Sequence, residues 1–401
     1  MGSQGRPLVL YVCYHPLVGV APNFRIFGQV QLIRRVADVL VVSPSMPADS
    51  SAEEREEART YLGDGHIEVK TALGPFSLIA TRSIYREAEH ILASRPVDVI
   101  HGAMQPSCMI VRRLAKRYRV PVVTSFHGTA LEMRDVVPWW QAYAKERVFL
   151  AVERWAARNA AGILFVSEAH RSFFAEQHGT PVGETAVLAS FFDPRHFRLC
   201  PELREPRRRA LDLEDKRIVI YVGSCVPRWT VFDRVARVMA QVCRARPDVH
   251  FMVLSREQKQ ALAFVQNAGL VPSQCTVTSV AHTEVPEYLN AADIGLLLRE
   301  PTPTNYVASP FKFGEYVACG VMPVVSPHIG DLGRHIASGD LGLELTSNAS
   351  AADEILAALD DPEQFTDERR RARAEWARNH WTWDSAGEPI IHLYQSILGG
   401  R

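Results

Sequence analysis

The chain has no excess charge of either sign: its 401 residues carry 45 basic and 45 acidic side chains. A balanced charge supplies no global field for nucleic acid, so no nucleic-acid partner is expected, although a local cationic site for a small anion remains open. Long hydrophobic runs are also missing. Nothing approaches the ~18 apolar residues of a membrane-spanning helix, so no transmembrane segment is expected. No basic amphipathic stretch supports peripheral membrane association either. The opening MGSQGRPLVLYVCYHPL has no basic region followed by a long apolar run, so it does not read as a signal peptide. Cysteines are few, seven in all, scattered and without any C-x-x-C. They read as reduced, buried thiols of a cytoplasmic protein, not as disulfides or zinc ligands. The dinucleotide fingerprint G-x-G-x-x-G and the acidic D-x-D are both absent.

What is present is an ordinary globular composition, 47% hydrophobic and 22% charged. The length exceeds what one core usually serves, so two domains are expected. Strand-like runs fall at 8–13, 38–42, 66–69, 97–100, 120–125, 162–166 and 184–188. Several are nearly continuous in Val, Ile and Leu, as in parallel strands covered on both faces. Helical patterns at 23–36, 82–94, 107–117 and 139–160 separate them. The charged, proline-bearing stretch PELREPRRRALDLEDKR at 201–217 reads as an interdomain linker whose arginines face solvent. The alternation then restarts, with strands at 218–222, 249–254, 275–278, 294–298 and 322–326. The pattern predicts an α/β protein of two facing Rossmann-like domains with parallel sheets: residues 1–200, then the linker, then 218–383, then a closing helix at 384–401. In such folds ligands bind at the carboxyl ends of the strands.

Four segments could carry chemistry at those ends. The first βα turn, YHPLVGVAPNFR, offers Gly19 for close backbone approach and Arg25 in the following helix; a plain loop with a surface arginine reads as well. VVTSFHGT ends a strand at His127, which favours a ligand role over a structural one. His101 ends another strand without a second cue. IVIYVGSCVPRW places Gly223 and Arg228 in the corresponding turn of the second half. The fourth segment is NYVASPFKFGEYVACGVMPVV at 305–325. Ser309 reads as an N-cap, Pro310 as the first helical residue, and Lys312 and Glu315 share a helix face. A lysine at a helix N-terminus suits a diphosphate, and a carboxylate suits two adjacent ribose hydroxyls. An exposed Lys–Glu pair has the same spacing, and spacing does not decide between them.

At this segment the chain resembles retaining glycosyltransferases of the GT-B fold, specifically glycosyltransferase family 4, the glycosyl transferases group 1 superfamily. The run SPFKFGEYVACGVMPVVS is close to the subgroup pattern S-P-x-K-x-x-E-Y-x-A-C-G-x-P-V. The opening Gly loop, the strand ending at His127, ILFVSE at 163–168, ASFFDPRHF at 189–197 and EVPEYLNAADIGLLL at 284–298 follow the family in order. The resemblance implies a metal-independent enzyme, with no cofactor, moving a sugar with retention from a nucleotide-sugar (UDP-sugar by default) to a hydroxyl acceptor. It places Glu315 on the ribose, and Lys312 with Arg228 and Arg299 on the diphosphate, supported by Gly19, Gly223, Asn305, Ser309 and Phe313. His127, Arg228 and Lys312 would serve catalysis, with His127 near the donor sugar. Val307 stands where the first glutamate of the family's E-x₇-E motif is usual. The acceptor, a small molecule, glycan or lipid-linked sugar, would meet Arg25, Arg134 and Trp139 in the first domain. The last helix would cross back onto that domain. A pseudo-glycosyltransferase or sugar-nucleotide epimerase, and a non-catalytic nucleotide-sugar-binding subunit, are the alternatives.

Overall fold

The computed structural model describes residues 5–17, 20–48, 50–70, 78–136, 139–226 and 230–400. Two compact units make up the chain. The first is Met1–Ala189 with Ala386–Arg401, the second Ser190–Ser385. Of the proposed site residues, Gly19 and Arg228 lie outside the described residues, as does the side chain of Trp139. No helix among the described residues is long and apolar enough to cross a membrane.

The first unit is built on seven strands: β1 (Leu8–Val12), β2 (Asp38–Pro44), β3 (His66–Val69), β4 (Val99–Ala103), β5 (Val122–Ser125), β6 (Gly162–Phe165) and β7 (Glu184–Val187). They lie in the order β3-β2-β1-β4-β5-β6-β7 and pair in parallel. Val9, Leu10, Tyr11 and Val12 are all fully buried, because helices cover both faces of a parallel sheet. The chain reverses its direction across the sheet between β1 and β4, which makes their carboxyl ends a topological switch point.

His101 sits on β4 opposite Tyr11 of β1, and the two rings stack at 4.2 Å. Its Nδ1 lies 2.6 Å from the Tyr394 hydroxyl and its Nε2 2.9 Å from Ser125 Oγ. Burial pushes its imidazole down to about 3, so it is a neutral core residue with both nitrogens used. Tyr394 belongs to the closing helix Glu388–Gly399. That helix packs so closely on β6 that a methyl at Gly162 would meet Leu393 and Ile397 at 2.9 Å.

The second unit repeats the plan with β8 (Arg217–Val222), β9 (Val249–Leu254), β10 (Cys275–Thr278), β11 (Ile294–Leu297), β12 (Met322–Val325) and β13 (Leu343–Glu344). The order is β10-β9-β8-β11-β12-β13, again parallel, with the switch point between β8 and β11.

The expected linker at 201–217 is corrected by the structure. Pro201–Ala210 is a helix within the second unit, and Arg208 is buried. Arg204 and Arg208 reach the two oxygens of buried Asp293 at 2.5 and 2.6 Å, and Ile218 N donates to the same carboxylate at 2.8 Å. Burial alone would raise Asp293; the two guanidinium groups overcome it and hold the carboxyl below the usual range. Arg204 also donates to the carbonyls of Asn290, Ala291 and Ala292. These close the C-terminal end of the helix Val285–Ala291, where a cation meets the negative end of the dipole. The charged run is a buttress under β8 and β11.

Candidate functional site

The carboxyl ends of β8 and β11 bring one group of the expected residues together. Gly223 directly follows β8 with φ +141°, a conformation side chains rarely adopt. A methyl there would sit 2.5 Å from Lys312 Cε and 3.1 Å from its Nζ. The missing side chain is therefore the space the lysine occupies. Lys312 lies in the first turn of the helix Phe311–Ala318, which no side chain caps, so its charge adds to the positive end of the dipole. Burial pulls the ammonium below its ordinary value; Glu315 opposes that and Arg299 reinforces it. Glu315 is buried one turn on, its carboxyl raised by burial and lowered by Lys312. Lys312 and Arg299 thus bring two cations to the carboxylate of this helix.

The surroundings hold these groups in place. The Tyr316 hydroxyl accepts from Val222 N at 3.2 Å and reaches Leu296 O at 3.4 Å, tying β8 to β11. Only a glycine fits opposite it, since a methyl at Gly295 would approach the ring to 2.4 Å. Glu257 accepts from Ser224 Oγ, Cys225 N and Ser255 Oγ, and so clamps the loop after Gly223. Arg299 donates to Asn305 Oδ1 at 3.1 Å, and Asn305 Nδ2 donates to Glu300 O at 2.9 Å. Asn305 is fully buried, so it orients the arginine.

Two expectations change. Ser309 is not the N-cap; Pro310 is. The Ser309 hydroxyl instead accepts from Ser190 N at 2.8 Å, and Ser190 Oγ donates back to Ser309 O. Ser190 O in turn accepts from the Trp381 indole at 3.1 Å. Phe313 is fully buried between Trp376 and Trp381. It points about 100° around the helix from Lys312 and belongs to the core, not to a ligand surface. Val307, at the other motif position, is fully buried as well.

In the first unit, His127 follows β5 in a loop pinned from below. Gln105 Nε2 donates to Gly128 O at 3.0 Å and to Glu153 Oε1 at 2.8 Å; Ala130 N donates to the same oxygen at 2.8 Å. Glu153 Oε2 lies 3.0 Å from His178 Nε2, and both side chains are buried. Burial holds His127 well below its ordinary value, with Arg25, His15, His101 and His170 adding to the effect. Arg25, pushed down to about 10 by burial against the pull of Glu132, shares this neighbourhood. Arg134 does not join it. Its guanidinium forms a two-pronged pair with Glu146, both contacts 2.7 Å, on an exposed stretch.

Glu153, His170, Tyr316 and Glu257 escaped the sequence reading. Glu153 did leave a signal: a carboxylate directly after Val152 on the buried face of a long helix, where it needs partners. Among the described residues no group of three or more His, Cys, Asp or Glu side chains could hold a metal ion.

Two family models match the chain: the "Glycosyl transferase 4-like domain" over residues 29–190 and "Glycosyl transferases group 1" over 216–368. Each falls on one sheet. The chain belongs to the glycosyltransferase family 4/group 1 proteins of GT-B fold. Among curated relatives of this family, a 2-deoxystreptamine glucosyltransferase of Streptomyces kanamyceticus is 25% identical over 255 residues, 62% of this chain. The match spans 64% of that relative's length. A D-inositol 3-phosphate glycosyltransferase of Kineococcus radiotolerans is 23% identical over 346 residues, 79% of this chain and 75% of the relative. Among solved structures, Anabaena Alr3699/HepE in complex with UDP and glucose has a similar fold, with a TM-score of 0.71 at 15% identity, covering 98% of this chain and all of that one.

Proposed function

We propose that the chain is a retaining, metal-independent glycosyltransferase that moves a sugar from a nucleotide-sugar, a UDP-sugar in the first instance, to a hydroxyl of an acceptor. The observation that carries this reading is the seat of Lys312 against Gly223, with Arg299 coupled to it and Glu315 on the same helix face. A departing nucleoside diphosphate gains negative charge as the glycosidic bond breaks. Fixed cations and a helix N-terminus stabilise that charge most where it develops, with no reorganisation at the moment of reaction. Glu315 offers two carboxylate oxygens to the paired hydroxyls of a ribose. The absence of D-x-D accords with protein cations taking the part that a metal plays in other transferases. Sugar leaves and hydroxyl attacks on the same face; no side chain is assigned as a nucleophile. The relatives' names support transfer to a cyclitol-type acceptor.

Thermal shift with UDP and UDP-glucose tests the reading. Wild type should be stabilised by both, and Glu315→Ala should lose both shifts while remaining folded by circular dichroism. A folded Glu315→Ala protein that still binds UDP like wild type overturns the site.

A further inference from the structure

Strands β11 and β12 end at Leu297 and Val325, and Ser326 N still donates to Leu297 O at 3.1 Å. Arg299 lies past both ends, where the ladder no longer serves its backbone groups. Its main chain is nevertheless held at both of them. Arg299 N donates to Ser326 Oγ at 2.9 Å, Ser326 Oγ donates to Asn348 Oδ1 at 2.5 Å, and Asn348 Nδ2 donates to Arg299 O at 2.8 Å. The three bonds close a ring around one residue. Ser326 is buried within it. The Asn348 amide fits in one orientation, because a flipped amide would set its oxygen against the Arg299 carbonyl.

Asn348 comes from the turn after β13, 49 residues on in the chain. That turn is itself fastened. Thr346 donates to Glu354 through N at 3.0 Å and through Oγ1 at 2.7 Å, and Ser350 Oγ donates to the same carboxylate. Glu354 stands in the first turn of the helix Ala351–Leu359, whose Ile355 and Leu359 lie in the second unit's core. The helix holds the turn, the turn holds Asn348, and Asn348 holds the arginine. On the far side Glu300 pairs with Arg234 at 2.5 Å, at the start of the helix Phe232–Ala245. A staple that served the fold alone could grip any residue of this loop. This one ends, by both of its bonds, on the residue that carries the second cation beside Lys312. None of its three groups titrates, so it holds at any pH at which the fold does.

We infer that Asn348, together with Ser326, is a positioning residue: it fixes the main chain of Arg299 so that the guanidinium stands ready beside Lys312 for a departing diphosphate. The part it plays in the reaction rests on the proposed transferase function; the clip on the arginine does not. Asn348 acts only through the arginine. A donor already in place stabilises developing charge with no reorganisation, whereas a loose one must first be ordered. Loss of the clip therefore lowers turnover more than it weakens donor binding.

The test uses the full chain and two readouts: UDP release from UDP-glucose with water as acceptor, and calorimetric titration with inorganic pyrophosphate. Asn348→Ala should lower kcat by about 10–10²-fold and leave KM within about twofold. Arg299→Ala should weaken pyrophosphate by about tenfold, the share of one charge-assisted hydrogen bond. Asn348→Ala should weaken it by less. In the Arg299→Ala background, adding Asn348→Ala should change either quantity by less than about twofold, because the residue it positions is gone. A purely structural loss would instead add in full. Should Asn348→Ala fail to fold by circular dichroism, Ser326→Ala is read in the same way; failure of both makes the clip a part of the frame and overturns the inference. Wild-type values in Asn348→Ala, an effect that persists undiminished without Arg299, or a wild type that does not bind pyrophosphate also overturns it. Pyrophosphate binding that follows this pattern in a protein that neither binds nor cleaves UDP-glucose would sink the transferase reading and leave the clip standing.

Discussion

The two units share a plan and differ in how they carry positive charge. In the second unit the charge is fixed: Lys312 is seated against Gly223, and Arg299 is held by Asn305. In the first unit it is conditional. Arg25 stands beside imidazoles that burial keeps neutral, several with a nitrogen in reserve. A fixed cationic seat suits a leaving group that is always an anion.

The largest expected effect would break the frame beneath the fixed site. Asp293→Ala should destabilise the second unit by about 3–5 kcal/mol, because Arg204 and Arg208 would be left buried without their counter-charge. Urea unfolding measures this, and a loss below ~1 kcal/mol would show the buttress to be ornamental. Next comes the seat itself. Lys312→Ala should lower kcat with UDP-glucose by 10²–10³-fold, about 2.7–4 kcal/mol. A change confined to KM would show that the lysine holds the ground state and transition state equally.

The smallest effect sharpens the contrast in titration. His101 and His170 sit near 3 in the fold against ~6.5 in the unfolded chain. Above pH 6.5 both states are neutral and nothing changes. Below it the unfolded chain takes up protons that the native fold refuses, so stability falls with pH, by about 1.4 kcal/mol per unit per histidine. Hydrogen exchange at pH 7.5 and 5.5 should show the amides of β1, β4 and β5 losing more protection than those of β8, β11 and β12. Equal loss in both sheets would erase the distinction.

Much of the architecture was legible because parallel strands buried on both faces are written as unbroken apolar runs, as in 249–254. The site was legible where its spacing is local: Lys312 and Glu315 are three residues apart, on one helix face. Phe313 was misplaced because adjacency in sequence is not adjacency on a helix; one step turns the side chain into the Trp376–Trp381 core. The misread linker shows the longer-range limit. Its arginines look solvated until they meet Asp293, 89 and 85 residues away. His170 was hidden for the same reason: only the parallel order of β1, β5 and β6 brings it to the edge that His15 and His127 share.

The closing helix Glu388–Gly399 has a consequence in time. The second unit is one continuous stretch, whereas the first is interrupted and waits for Ala386–Arg401. During synthesis, which delivers chains N-terminus first, the sheet begun at Leu8 stays without its cover over β6 until the whole second unit has been made. His101 meets the Tyr394 hydroxyl only then. The unit that starts first is finished last, and its final hydrogen bond joins residues 293 positions apart.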